Sequence, residues 1–297
     1  MNERICYIYI TLMDAANIRI TQLKELFDTL YNVQILKGYI NNDPIEFPHH
    51  YQDPGDIELA GFIASALAFG RVDLFKPVIK KVLSLSNASL YEYVVNFSPR
   101  TNLRHFDHLY YRMCKGRDIA GLLFILREVI RRHGSVGSLF SSCYERTKDI
   151  RDGLKRFVAV LREVDTTPVY GERVCPRGLL QLLPSPGGGG PCKRLNMYLR
   201  WMVRTDDGID FGLWKNIPPS ILIIPLDTHI IRIGKSLNMT QRKSAGWAMA
   251  EDITERFRAL APEDPLKYDF ALCHMGISGQ WKEWKEVFID GVSRDTP

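Results

Sequence analysis

Apolar residues spaced at three and four run through most of this chain, and that period decides what it can fold into. Ile57, Ala60, Gly61, Ala64, Leu67 and Ala68 follow it, as do Ile119, Leu122, Leu123, Leu126, Val129 and Ile130. Ile150, Leu154, Phe157, Val158 and Leu161 make a third stripe. A half-buried strand needs alternation instead, and no long alternating stretch occurs. The fold class is therefore all-α. Helix ends are marked as well. Asp53 can cap, Pro54 fits the first helical position and Asp56 suits the electropositive end, while Gly70 ends that helix. Its small residues imply that a second backbone packs closely. Asp118 caps the second helix, and Gly134 stops it after Arg131, Arg132 and His133. Asp264-Pro265 repeats the cap-then-proline signal, so Leu266 to Met275 reads as a helix stopped at Gly276.

Composition narrows the function classes. Hydrophobic residues are 45% and charged residues 25% of the 297, the mix of a globular chain rather than a disordered one. The chain divides into an N-terminal extension, 1–22, and a single helical domain, 23–297, whose hairpin and catalytic region span 179–237. No apolar run reaches ~18 residues, so no membrane span is expected. The apolar run from Ile5 to Met13 lacks a strong charged flank and a cleavage site, so a secretory signal is not expected either. The 6 cysteines are scattered, with no C-x-x-C pair. Zinc knuckles and iron–sulfur clusters need closely spaced thiolates, so no metal and no cofactor is expected. A cytoplasmic monomer fits these features. The formal net charge of +5 permits a polyanionic partner without requiring one.

The least regular stretch, Asp165 to Pro191, ends in Leu183-Pro184-Ser185-Pro186-Gly187-Gly188-Gly189-Gly190-Pro191. Apolar residues press on both sides of it, Leu179, Leu180, Leu182 and Leu183 before and Leu195, Tyr198, Leu199 and Met202 after. That places a hairpin between two buried helices rather than a linker between domains. Pro191 fits the first position of the second helix, which puts Lys193 in its first turn. The helix dipole is positive there, the wrong end for a cation. A neutral amine nucleophile gains from that position, because the dipole and Arg194 both disfavour the ammonium form. Lys193, Arg194, Arg200 and Arg204 come with no acid among them, and the glycine loop frees N–H groups for an anion. The plain alternative is a solvated basic helix after a flexible loop. Further on, the apolar run Ile221 to Leu226 leads into Asp227, which takes an N-cap position; alone it would be only a cap.

A hairpin of the form Leu-Pro-…-Gly, a helix with an early lysine, and the helix start Pro225-Leu226-Asp227-Thr228-His229 together resemble helix-hairpin-helix DNA glycosylases. This resemblance spans Leu179 to Arg232. The long Lys-to-Asp interval is similar to the archaeal 8-oxoguanine DNA glycosylase branch. A wider pattern, from about Leu23 onward, resembles an uncharacterised bacterial family. It includes Asp53-Pro54-Gly55-Asp56-Ile57-Glu58, Cys192-Lys193-Arg194-Leu195-Asn196, and Asp264-Pro265-Leu266-Lys267-Tyr268-Asp269-Phe270. The glycosylase resemblance implies two helical lobes flanking a cleft, and double-stranded DNA containing a damaged base as partner. The function implied is base-excision repair with AP lyase activity on an oxidised purine. Lys193 matches the nucleophile that forms a Schiff base with the sugar, and Asp227 the carboxylate that stabilises positive charge on it.

The target base would be flipped from the duplex, with Trp201, Phe211 and Trp214 as candidates to stack on it. Gly187, Gly188, Gly189, Gly190, Arg194, Arg200, Arg204, His229 and Arg232 would hold the DNA. The hairpin departs from the family form in its length and in Ser185-Pro186, which bears on the phosphate clamp more than on the catalytic pair. Two other classes stand beside this one. One is a helix-hairpin-helix protein that only binds DNA. The other is a metal-dependent phosphohydrolase drawing on His49, His50, Asp53, His105, Asp107 and His108, although the His-Asp dipeptide expected of that group is absent.

Overall fold

A computed structural model of the chain describes residues 21–287. Helices carry the fold. Strand is confined, among the described residues, to one hairpin in which Tyr110–Tyr111 pairs antiparallel with Cys114–Lys115. Of the extension 1–22, all but the last two residues lie outside the described residues, as does the apolar run Ile5 to Met13.

The helix Pro54–Leu67 runs through the core, with every residue from Asp56 to Leu67 buried. Its start is the one the residues announce: Asp53 Oδ1 accepts from the N–H of Gly55 at 2.8 Å and of Asp56 at 3.3 Å. The buried acids in it are caps for other helices. Asp56 Oδ1 accepts from Tyr91 N at 2.7 Å and Ser89 Oγ at 2.9 Å, at the head of Leu90–Val95. Glu58 accepts from the N–H of Val136 at 3.0 Å and Gly137 at 2.8 Å, the first turn of Val136–Thr147. Each carboxylate thereby satisfies orphan helix donors, the condition for a polar group to stay in a core.

Lys193–Val203 packs against this central helix. At Gly61 an added Cβ would lie 3.1 Å from Met202 Cε and 3.3 Å from Tyr198 Cε2, so the glycine is what lets the two helices approach. The short helix Arg177–Leu182 precedes it, and a loop with one 3-10 turn at Pro186–Gly188 joins the two. The loop is tied down at both flanks. Arg162 Nε donates to Leu183 O at 3.1 Å, and Trp247 N donates to Gly189 O at 2.9 Å. Of the four glycines Gly189 alone has a positive φ, 77°.

The helices Gly116–His133 and Ile150–Glu163 stand where their stripes place them, with Gly134 at φ 84° ending the first. Asp118 sits inside that first turn and accepts from Lys115 N at 2.8 Å. The last long helix departs from expectation: it spans Asp269–Ser278 and ends at Gly279, φ 80°. Asp264 is not its cap, because its carboxylate is taken by Arg204 Nε at 3.0 Å. Gly276 lies inside it for a packing reason: an added Cβ would lie 2.5 Å from His229 Cβ on the neighbouring Thr228–Ser236 helix.

Candidate active site

Two helix N-termini meet at one cavity. Lys193 opens the first of them, and every later residue of that helix, Arg194 to Val203, is buried. Among the described residues no side chain caps this terminus. Its N-cap, Cys192, holds a left-handed backbone (φ 46°, ψ 37°) that a β-carbon disfavours by about 1–2 kcal/mol. Pro191 therefore stands ahead of the cap rather than at the first helical position. Asn196 Nδ2 donates back to Pro191 O at 3.0 Å and fixes the approach of the loop. Asp227 caps the second terminus, as its position predicts: Oδ1 accepts from the N–H of His229 and of Ile230, both at 2.8 Å.

That leaves Asp227 Oδ2 for the cavity. Lys193 Nζ lies 3.5 Å from it, with the lysine side chain 41% exposed and the aspartate 10%. An ion pair this open is worth about 0–1 kcal/mol, and the helix dipole opposes the lysine, so stability does not account for the arrangement. The thiol of Cys273 donates to the same Oδ2 at 3.2 Å. The cavity measures about 820 Å³, within the ~300–1,000 Å³ of small-molecule sites. Lys193, Asp227 and Cys273 line it together with His229, Asp43 and Asp269.

Asp269 and its neighbours form the floor. Burial pushes the Asp269 carboxyl up to about 6; Asp227 and Asp210 push the same way, and the charge of Arg200 pulls against them. Its Oδ2 accepts from Arg200 Nη1 at 2.7 Å, whereas Oδ1 has no hydrogen-bond partner among the described residues. For Asp43, burial pushes upward too. There His274, the Ile45 N–H and the charge of Arg200 outweigh it and hold the carboxyl below its ordinary value. Burial also drives the Cys273 thiol well above its usual range, with Asp227 adding to the effect, so this sulfur remains a donor. Asp269 and Cys273 escape a sequence reading centred on the hairpin. The signal for them was an acid set among Tyr268, Phe270, Ala271 and Leu272, four residues ahead of a cysteine on the same helical face.

Several expected DNA contacts are buried side chains. Arg200 and Arg204 are buried, and their guanidinium groups are spent on Asp210, Asp269, Asp207 and Asp264. Arg194 is buried as well. It donates to the carbonyls of Ala66 and Gln181 and stacks over Phe69 at 4.8 Å. These buried cations hold helices together, and Arg194 and Arg200 meet the cavity only as part of its wall. Trp201 is fully buried. Trp214 donates from Nε1 to Glu58 at 2.8 Å and stacks on Phe140, so both tryptophans belong to the core. Phe211 packs on His49 with ring centroids 4.5 Å apart, away from the cavity lining. Gly187, Gly188 and Gly189 are exposed, Gly190 and His229 line the cavity, and Arg232 is exposed one turn beyond His229. His105, Asp107 and His108 are exposed, and among the described residues no three His, Cys, Asp or Glu side chains come together as a metal set. No helix among them is long and apolar enough to cross a membrane.

The chain belongs to a family described as a protein of unknown function (DUF2400), whose pattern matches residues 43–278. No curated protein and no solved structure gives a significant match.

Proposed function

We propose that this protein is a base-excision repair DNA glycosylase with AP lyase activity. In this reading the fold is of the helix-hairpin-helix type, and the cavity is the cleft between two helical lobes. The observation that carries it is the pairing of Lys193 with Asp227 across 3.5 Å, at two facing helix termini over one cavity. An amine and a carboxylate so placed suit attack on the anomeric carbon of a damaged nucleotide. The amine, its proton lost to water before the step and its direction set by Asp227 Oδ2, bonds to the sugar carbon as the base departs. Asp227 then faces the positive charge that develops on the ring. Asp269, protonated over much of the range below about pH 6, supplies a proton to the departing base from the cavity floor. The aminal so formed loses a proton from nitrogen and its C1′–O4′ bond opens, O4′ taking a proton, and the resulting Schiff base permits β-elimination of the strand. An oxidised purine such as 8-oxoguanine is the substrate the glycosylase resemblance favours.

Duplexes each bearing one damaged base, incubated with the full chain in EDTA with and without borohydride, test the reading. A covalent protein–DNA adduct that is absent from Lys193→Ala supports it. DNA binding without adduct or base release across the panel would leave a protein that only binds DNA.

A further inference from the structure

The cavity rim continues into the β-hairpin. Phe69, Gly70 and Arg71 form part of the cavity wall. The Tyr111 hydroxyl donates to Phe69 O, and the two rings pack with centroids 4.9 Å apart. On the other strand the Cys114 thiol donates to Gly178 O at 3.3 Å, in the first helix of the Arg177–Val203 pair. The hairpin is thus rooted at the cavity on one side and at the helical hairpin on the other.

Its tip stands in solvent. Tyr110 is 67% exposed and Met113 52%. Between them Arg112 occupies the left-handed region at φ 54°, where glycine or asparagine would be at ease. The arginine side chain is kept there at a backbone cost of about 1–2 kcal/mol. It reaches back along the rim: an added Cβ at Gly70 would meet its guanidinium carbon at 3.1 Å. The anchored turn thus holds two large apolar side chains out in solvent.

The charge around the tip is mainly positive, the nearby Asp73 being paired with Arg71. Arg100, Arg104, Arg112, Lys115 and Arg117 are all exposed, and within 100–117 the one exposed acid is Asp107. None of the five cations forms an ion pair among the described residues, in contrast to the buried, neutralised Arg200 and Arg204. Free cations track phosphates, and apolar side chains on a stiff turn can wedge between base steps. We propose that the hairpin Tyr110–Lys115 and its flanking cations are the surface on which duplex DNA docks, with Tyr110 and Met113 entering the base stack beside the nucleotide held in the cavity. The proposal rests on the DNA reading above and names the face that serves it.

The test uses the full chain and a duplex carrying a tetrahydrofuran abasic-site analogue beside 2-aminopurine. Binding is followed by anisotropy over a salt series and unstacking by 2-aminopurine fluorescence. Arg104→Gln, Arg112→Gln and Lys115→Gln combined should weaken binding about 10- to 100-fold near 0.1 M salt and flatten the salt slope by about 2–3. Tyr110→Ala with Met113→Ala should keep the slope but lose the fluorescence rise. The same variant should lose any preference for duplex over single strand in borohydride trapping, which is run on a parallel duplex whose natural abasic site keeps the C1′ aldehyde that tetrahydrofuran lacks. All five side chains are exposed, and thermal melting checks that the variants fold. If the wild type binds and both variants bind and unstack as it does, the hairpin is not the docking surface, and the lyase reading is untouched. If the wild type binds no duplex at all, both readings fall. If it docks through the hairpin but never traps, the surface stands and the lyase chemistry does not.

Discussion

Asp227 divides its carboxylate between two tasks: Oδ1 closes the Thr228–Ser236 helix, while Oδ2 meets Lys193 and Cys273. Substitution separates them. Asparagine caps as well as aspartate but carries no charge. Asp227→Asn should therefore leave the melting temperature nearly unchanged and cut single-turnover base release by at least about 100-fold. Asp227→Ala should lose both, with about 1 kcal/mol of stability gone in urea denaturation. Equal rates for wild type and Asp227→Asn would reduce the residue to a cap. Cys273 is the donor that helps orient Oδ2. Cys273→Ser keeps a donor and should retain most of the rate, whereas Cys273→Ala should lose more of it at unchanged stability rank; rates that do not separate the two would remove the thiol from the account. Lys193 and Asp227 were legible because each offends or completes a local rule, a cation at a helix start and a cap after an apolar run. Asp269 was not, because its partner Arg200 and its neighbour Asp227 lie far from it in sequence. Arg200 and Arg204 read as free cations because Asp264 and Asp269 lie far along the chain, and because the nearer Asp207 and Asp210 follow the helix end and fold back onto it.

Helices were legible where caps and periods agreed, as at Asp53, Gly134 and the Ile150–Glu163 stripe. The exception is instructive. Asp264-Pro265 carries the local signature of a helix start, but Arg204 claims the carboxylate, and the chain turns before entering the helix at Asp269. Gly276 resembles a stop signal and is instead the point at which the Asp269–Ser278 helix crosses His229. Gly276→Ala should force these helices apart, destabilising by about 1–3 kcal/mol. Because His229 and Cys273 both line the cavity, trapping should weaken with it. A variant as stable and active as the wild type would show that the crossing has slack. Arg200→Ala should cost about 3–5 kcal/mol, because it strips a buried carboxylate of its counter-charge; calorimetric melting reads this directly.

Across the molecule, the buried acids pull stability in opposite directions with pH. Asp43 and Asp207 are held below their ordinary value by cationic and hydrogen-bonded neighbours that outweigh burial. Their stabilisation is present above that value and lost as pH falls through the lowered one. Asp269 works the other way. Its folded carboxyl titrates at about 6 against an ordinary 3.8, so between those values the folded chain keeps a proton that the unfolded chain has released. Its contribution is complete below about pH 4 and lost as pH rises through 6, a swing of up to about 3 kcal/mol. The wild type should therefore lose stability between pH 4.5 and 6.5 in urea melts, while Asp269→Asn, which cannot ionise, should lose distinctly less over the same interval. The comparison of slopes cancels the cost of the substitution and every other titration the two proteins share. Parallel curves would mean that Asp269 already carries its charge at pH 5, and a carboxylate so charged has no proton to give a departing base.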